Sequence, residues 1–181
     1  MEDQQLLQLQ YPIGKFTEPK NTDQAFIESA IADIASFPQS LSDAVANLSE
    51  QELDTPYRTG GWTVRQVVHH CADSHMNSWI RFKLALTEDK PVIRPYFEDR
   101  WAGLPDSRVM SIEPALLLLS ALHTKWVFLL KSLNETDLRR TYVHPEQGRE
   151  YRLDVVIVLY AWHCNHHLAH VTGLKARMGW E

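Results

Sequence analysis

Apolar positions recur at helical spacing in two segments in the first half of the chain. The first segment follows Asp23, a predicted N-cap, contains Pro38, and carries apolar residues at Ile27, Ile31, Ile34, Leu41, Val45 and Leu48. The second opens with Thr63 and Gln66, which have the spacing of a capping box, and runs to about Leu86. Each pattern predicts a long helix with one buried face, and the proline predicts a kink in the first helix.

The second half of the chain repeats this pattern. A third helix is predicted from Ser111 through Leu133, and a fourth from Asp154, its expected cap, to Gly179, where a glycine typically ends a helix. Four long amphipathic helices joined by loops predict an all-α protein, an antiparallel four-helix bundle that forms a single domain over residues 1–181. Bundles of this kind bind metals between facing helices.

Three segments interrupt the helical pattern. Residues 1–20 contain prolines and a glycine and are predicted to form an extended N-terminal arm. Residues 87–110 are predicted to be a long loop, and aromatic residues such as Tyr96 and Trp101 indicate that it is ordered. We expect this loop to form a wall or lid of the pocket that holds a metal or, alternatively, a contact between the subunits of a dimer. Residues 141–153 are predicted to form a small hairpin.

Composition and charge exclude several classes of protein. The chain has 181 residues and a formal net charge of −5, without the basic face that nucleic-acid or membrane-surface binding would need. The N-terminus lacks the basic and apolar regions of a signal peptide. The only cysteines, Cys71 and Cys164, each follow a histidine in a predicted helix, which argues against a disulfide and for packing roles. These features predict a cytoplasmic protein with no nucleic-acid or membrane partner.

Histidine is concentrated in the last helix, where four of the nine histidines lie between residues 163 and 170. His163 and His167 form one i, i+4 pair, and His166 and His170 form another; either pair could chelate one ion, since such residues lie about 40° apart on a helix. The apolar stripe of the helix continues into His163 and His167, which favours the first pair. His170 lies nearly in line with His163, so spacing leaves its contribution open.

A third ligand must come from another helix, and spacing alone does not identify it. The second helix carries His69, His70 and His75, and His75 lies on its apolar stripe. Periodicity therefore favours His75, although a core histidine with satisfied hydrogen bonds explains the same pattern equally well. His123 and His144 have no comparable claim.

Two long motifs resemble the DinB/YfiT-like superfamily. They are residues 61–77 (GWTVRQVVHHCADSHMN) in the second helix and residues 159–170 (LYAWHCNHHLAH) in the last. Shorter matches occur at residues 11–14, 80–87 and 142–146, so the resemblance covers nearly the whole chain and is closest to the YfiT branch.

This resemblance implies a DinB-like four-helix bundle, usually a homodimer, and a metal site made by His70, His163 and His167. The site would hold one divalent metal ion, zinc first, with nickel or iron(II) also suited to three imidazoles. Similar proteins are described as metal-dependent hydrolases. The closest branch is linked to S-transfer from a low-molecular-weight thiol of the bacillithiol type, and a cousin branch uses mycothiol.

The two activities would share one metal site, because a bound divalent ion acidifies either a water or a thiol. Polar residues at helical spacing from His70 are Ser74, Asn77 and Arg81, which suit binding an anionic thiol better than abstracting a proton. We therefore expect a thiol transferase acting on a small electrophilic substrate, with hydrolase as the alternative. A third possibility for the function is a metal-binding module without turnover. The alternative role for these three polar residues is a solvated helix face.

Overall fold

The computed structural model describes residues 2–180. Its helices and strands, in chain order, are α1 (Glu2–Gln10), α2 (Gln24–Val45), α3 (Glu50–Leu53), α4 (Val64–Thr87), α5 (Glu98–Ala102), α6 (Pro105–Arg108), α7 (Glu113–Lys131), α8 (Glu135–Leu138), β1 (Thr141–His144), β2 (Arg149–Arg152) and α9 (Leu153–Met178).

Four long helices, α2, α4, α7 and α9, pack into a bundle in which α2 and α4 each contact both α7 and α9. Their inward faces form one apolar core whose large, fully buried side chains include Ile34, Leu41, Phe82 and Trp126. Burying each such side chain stabilises the fold by about 1.5–3 kcal/mol. The predicted all-α four-helix bundle is confirmed.

The predicted caps of α2 and α4 are present, whereas that of α9 is not. The Asp23 carboxylate accepts from the Phe26 amide at 2.9 Å, and Thr63 forms a reciprocal capping box with Gln66. Helix α9 begins one residue before Asp154, so this residue lies in the first turn and the predicted cap is wrong. The buried Asp154 carboxylate instead accepts from the Thr22 hydroxyl at 2.6 Å, which ties the start of α9 to the segment before α2.

The extended arm predicted for residues 1–20 is wrong over Glu2–Gln10, which form α1. This stretch has no glycine or proline and is rich in Leu and Gln, which both favour helix. Pro12 and Gly14 follow the helix and mark its end, and residues 11–23 have no helix or strand.

The long loop predicted for residues 87–110 contains two short helices, α5 and α6, that the sequence analysis missed. Both have fewer than two turns, too few for an apolar period to be recognised, although Pro105 occupies the first position of α6 as prolines often do. The start of the segment pairs with β1, since the Ile93 amide donates to the Val143 carbonyl at 3.0 Å.

The small hairpin predicted near residues 141–153 is confirmed. Strands β1 and β2 pair antiparallel, with Thr141 opposite Arg152 and His144 opposite Arg149. Gly148 in the turn has a φ of 61°, a backbone conformation that glycine adopts without steric strain.

Helix α7 is long and apolar enough to cross a membrane by length and composition alone. A core helix of a bundle meets the same criterion, and α7 buries residues such as Leu119 and Trp126 against α2 and α4.

Candidate metal centre

A tight turn before α4 places an aromatic ring against the first histidine of the site. Gly60 has a φ of 66°, and a Cβ on Gly61 would lie 2.7 Å from the Arg58 Cγ, so the turn favours glycine at both positions. Trp62 follows directly, and its ring lies 4.5 Å from that of His70.

His70 of α4 meets His163 and His167 of α9 in the interior of the bundle. One ring nitrogen of each histidine lies within 4.8 Å of the others, and the Nε2 atoms of His70 and His163 are 3.3 Å apart. Two nitrogens bound at 2.0–2.1 Å in a tetrahedral site would lie about 3.4 Å apart. His70 and His163 therefore have the spacing of two ligands to one ion, and His167 lies near enough to be the third.

Burial keeps these three imidazoles neutral, as metal ligands must be. It lowers the pKa of His70 to about 3, with smaller effects of His166 and His170. The pKa values of His163 and His167 are also lowered well below the ordinary value, chiefly by burial. A neutral imidazole keeps one lone pair on a ring nitrogen, so the donor set fits a divalent ion.

A second histidine triad, His166, His167 and His170, also has ring nitrogens within 4.8 Å of one another. It lies on one helix and shares His167 with the first triad. The Nε2 of His170 is 3.1 Å from the Gln10 carbonyl, and its Nδ1 is 3.4 Å from the Nδ1 of His167. Both nitrogens of His170 thus face protein atoms, which favours the first triad as the metal centre.

His75, the ligand that periodicity favours, lies outside both triads. It points into the core as its position on the apolar stripe predicts and is fully buried. Its Nδ1 is 2.7 Å from the Nε2 of His123, and its Nε2 is 3.0 Å from the Nδ1 of His163. Both ring nitrogens have hydrogen-bond partners, as expected for the alternative to a metal ligand, a core histidine with satisfied hydrogen bonds.

A cavity of about 810 Å³ opens onto the histidines. Its lining includes Ser74 and Arg81 among the predicted substrate-binding residues but not Asn77, whose side-chain amide donates to the Asp73 carbonyl of its own helix at 2.9 Å. The Ser74 hydroxyl lies 3.3 Å from that of Tyr160.

The segment 87–110 forms part of the cavity wall, as one of the two alternatives predicts. Pro95, Tyr96, Glu98 and Asp99 line the same cavity as His70. Trp101 supports this wall, because its ring packs 4.7 Å from that of Tyr96.

The two cysteines pack in the core. Cys71 and Cys164 are both fully buried, and neither belongs to a group of potential metal ligands among the described residues. Burial raises the pKa of both thiols, so they stay protonated. This agrees with the prediction that they are packing residues.

Several cavity residues were not predicted from the sequence. Tyr11, Tyr57 and Arg58 come from segments outside the four long helices, and Glu146 and Gln147 come from the hairpin turn. The resemblance at residues 11–14 and 142–146 pointed to the segments of Tyr11 and Glu146, whereas no sequence signal pointed to Tyr57, Arg58 or Gln147.

Comparison with known proteins agrees with this architecture. The family model of the DinB superfamily matches residues 34–171. The chain belongs to the DinB superfamily. Its structure resembles that of YfiT from Bacillus subtilis with a TM-score of 0.94 and 45% identity, covering 96% of this chain and 99% of YfiT. YfiT is described as a probable metal-dependent hydrolase with an unusual four-helix bundle topology.

Other relatives within the DinB superfamily match over almost their full lengths. A protein of Bacillus cereus strain B4264 is 53% identical over 172 residues, which are 95% of this chain and 98% of the relative. A protein of Bacillus licheniformis is 50% identical over 174 residues, which are 96% of this chain and 99% of the relative. The name of each relative provisionally describes it as a metal-dependent hydrolase.

Proposed function

We propose that this protein is a metal-dependent enzyme in which His70, His163 and His167 bind one divalent ion. The observation that carries the proposal is the convergence of three neutral imidazoles at the edge of a cavity, with His70 and His167 buried and His163 half-buried. The names of the Bacillus relatives and of YfiT support metal dependence. Zinc is the first candidate, with nickel and iron(II) next, because all three accept imidazole ligands.

A divalent ion bound there would supply Lewis-acid chemistry and would lower the pKa of a water or thiol ligand. Three protein ligands leave coordination positions for a reactant, which is the arrangement of catalytic sites and not of structural ones. The protein's own contribution is to hold the ligands, shape the cavity and bind the reactants.

The cavity favours transfer of a low-molecular-weight thiol to a small electrophile. Its volume of about 810 Å³ lies in the range of small-molecule sites. On the α4 side, Ser74 and Arg81 offer a hydroxyl and a guanidinium, which bind an anionic group but do not readily accept a proton. Arg58 adds a second cation to the lining. These groups would hold the carboxylates of a polar thiol of the bacillithiol type.

Hydrolysis is the second candidate, and a specific observation favours it. The carboxylates of Glu98, Asp99 and Glu146 line the same cavity, and any of them could act as the general base that Ser74 and Arg81 do not supply. The names of the relatives point to the same reaction class.

One experiment separates these activities. Protein purified without a metal-affinity column is analysed for bound metals and then loaded with zinc, nickel or iron(II). It is incubated with monochlorobimane and either bacillithiol or cysteine, and separately with p-nitrophenyl acetate and no thiol. Thiol conjugation that disappears in the His163→Ala variant supports transfer, and ester cleavage without thiol supports hydrolysis. Stoichiometric metal without either reaction would favour a binding module.

We also propose that the protein acts as a cytoplasmic homodimer. Leu117 and Phe128 of α7, eleven residues apart and so on one face of the helix, are 71% and 80% exposed. A second copy of the chain would cover these side chains. Light scattering should give the mass of a dimer, and Phe128→Glu should shift it toward the monomer.

A further inference from the structure

Three hydrogen bonds, two of them buried and the one to His163 partly buried, connect the candidate metal centre to the backbone of α2. The Nδ1 of His163 lies 3.0 Å from the Nε2 of His75, and the Nδ1 of His75 lies 2.7 Å from the Nε2 of His123. The Nδ1 of His123 lies 2.7 Å from the Ile34 carbonyl oxygen. His75 and His123 are 0% and 2% exposed, so no bulk water competes for these bonds.

The carbonyl at the end of this series of hydrogen bonds is free to accept from His123 because of a proline. In an α-helix the carbonyl of residue i accepts from the amide of residue i+4. The residue four positions after Ile34 is Pro38, which lies inside α2 and has no amide hydrogen. The Ile34 carbonyl therefore has no helical donor, and His123 of α7 supplies one. This contact gives the mid-helix proline a specific role in the structure.

The carbonyl sets the direction of every bond in the chain. A carbonyl only accepts, so the proton of neutral His123 is on Nδ1 and its Nε2 is an acceptor. His75 must then donate from Nδ1, which leaves its Nε2 to accept from the Nδ1 of His163. The lone pair of His163 is thereby fixed on Nε2, the atom 3.3 Å from the Nε2 of His70.

We propose that His75 and His123 are positioning residues that hold His163 in the tautomer able to bind the metal, with the Pro38-freed Ile34 carbonyl as their anchor. The inference rests on the proposed metal centre. It differs from a simple packing role because it needs a donor on one side of each ring and an acceptor on the other. Partners of this kind commonly contribute a factor of 10 to 100 in metal affinity.

A second contact has the same direction on the other ligand of α9. Gln10 is the last residue of α1, and its carbonyl lies 3.1 Å from the Nε2 of His170. The Nδ1 of His170 then faces the Nδ1 of His167 at 3.4 Å, a long and therefore weaker hydrogen bond. This contact would leave the Nε2 of His167 free for the ion.

The test compares three variants with the wild-type protein for zinc affinity, measured by competition with a chelator. His123→Phe keeps an aromatic ring but removes both nitrogens, and we expect about a 10–100-fold weaker zinc affinity. His123→Gln keeps one donor and one acceptor, and should recover to within a few-fold of wild type. His69→Phe is the matched control, since His69 is buried on α4 without a hydrogen bond to the chain of histidines, and should bind zinc as wild type does.

Nitrogen-15 spectra of zinc-loaded wild-type protein test the tautomers without any variant. His75, His123 and His163 should all carry their proton on Nδ1. An Nε2 proton on His75 or His123 overturns the proposal, as does wild-type zinc affinity in a folded His123→Phe or an equal loss in His123→Gln. If the wild-type protein binds no zinc, the proposed metal centre is wrong. The tautomers of His75 and His123 in the metal-free spectrum would still show whether the series of hydrogen bonds from His163 to the Ile34 carbonyl exists.

Discussion

The Nε2 atoms of His70 and His163 lie 3.3 Å apart, although the two residues are 93 positions apart in sequence and belong to different helices. In the tautomer that we propose, the Nδ1 of His163 donates to the Nε2 of His75, 3.0 Å away, and the Nε2 of His163 presents a lone pair to His70. A separation of this size matches two ligands on one edge of a tetrahedral site.

Removing a ligand should remove the metal. His163→Ala is expected to lose stoichiometric metal and all turnover, since two remaining imidazoles bind a divalent ion weakly. His166→Ala, in the second triad but not in the first, should retain the metal. Elemental analysis of both variants checks this, and the opposite pattern would place the ion in the second triad.

Chelation should leave the fold intact. The core of the bundle extends far beyond the three ligands, so its apolar burial does not depend on an ion. Treatment with a chelator is expected to abolish activity while far-UV circular dichroism stays within a few per cent of that of the holoprotein. A cooperative loss of helicity on chelation would make the ion structural.

X-ray absorption at the edge of the bound metal should show nitrogen and oxygen neighbours without sulfur. Cys71 and Cys164 are each one position from a ligand, a rotation of about 100° around the helix, and both are buried in the apolar core. Cys71→Ala and Cys164→Ala should keep full metal content. A metal–sulfur distance near 2.3 Å would contradict this prediction.

The metal-free protein should lose stability as the pH falls below about 6.5. Burial lowers the pKa of His70 to about 3 and that of His123 to about 4, so the unfolded chain binds protons on these residues that the folded chain does not. Each such proton lowers the free energy of unfolding by about 1.4 kcal/mol per pH unit across this window.

Asp73 acts in the opposite direction, because burial raises its pKa to about 6 and the folded state takes up its proton first. Several histidines outweigh this one carboxyl, so the net slope should stay positive. Urea unfolding at pH 7.5, 6 and 5 measures it. A flat or inverted profile would show that the buried histidines are charged in the folded state.

Arg81→Met should raise the KM for the thiol about tenfold or more and change kcat less, because Arg81 lines the cavity and offers a cation to an anionic reactant. Asn77→Ala, at another position first predicted to bind substrate, should leave both parameters near wild type, since its amide bonds to its own helix. Steady-state kinetics on the metal-loaded variants compares them. Equal effects of the two substitutions would refute binding by Arg81.

Local sequence patterns predicted the four long helices, the N-caps of α2 and α4, and the hairpin, because each depends on local spacing and on residues a few positions apart. Histidine enrichment between residues 163 and 170 also singled out the last helix. The short helices α1, α5, α6 and α8 were missed, since they carry too few apolar positions to show a period.

The role of each buried histidine depends on tertiary packing. Periodicity shows that His75 points inward but not what it meets, and only the packing of α2, α4, α7 and α9 brings His123 and the Ile34 carbonyl to it. The family resemblance made His70 a candidate ligand. Periodicity did not, because His70 lies off the apolar stripe of α4 and the residues it meets are on another helix. From the sequence alone, Pro38 predicts a kink in the helix. That it leaves the Ile34 carbonyl without a helical donor becomes important only because His123 of α7 supplies another donor. Hydrogen-bond direction along a chain of histidines depends on partners far apart in sequence, which is why local patterns could not assign it.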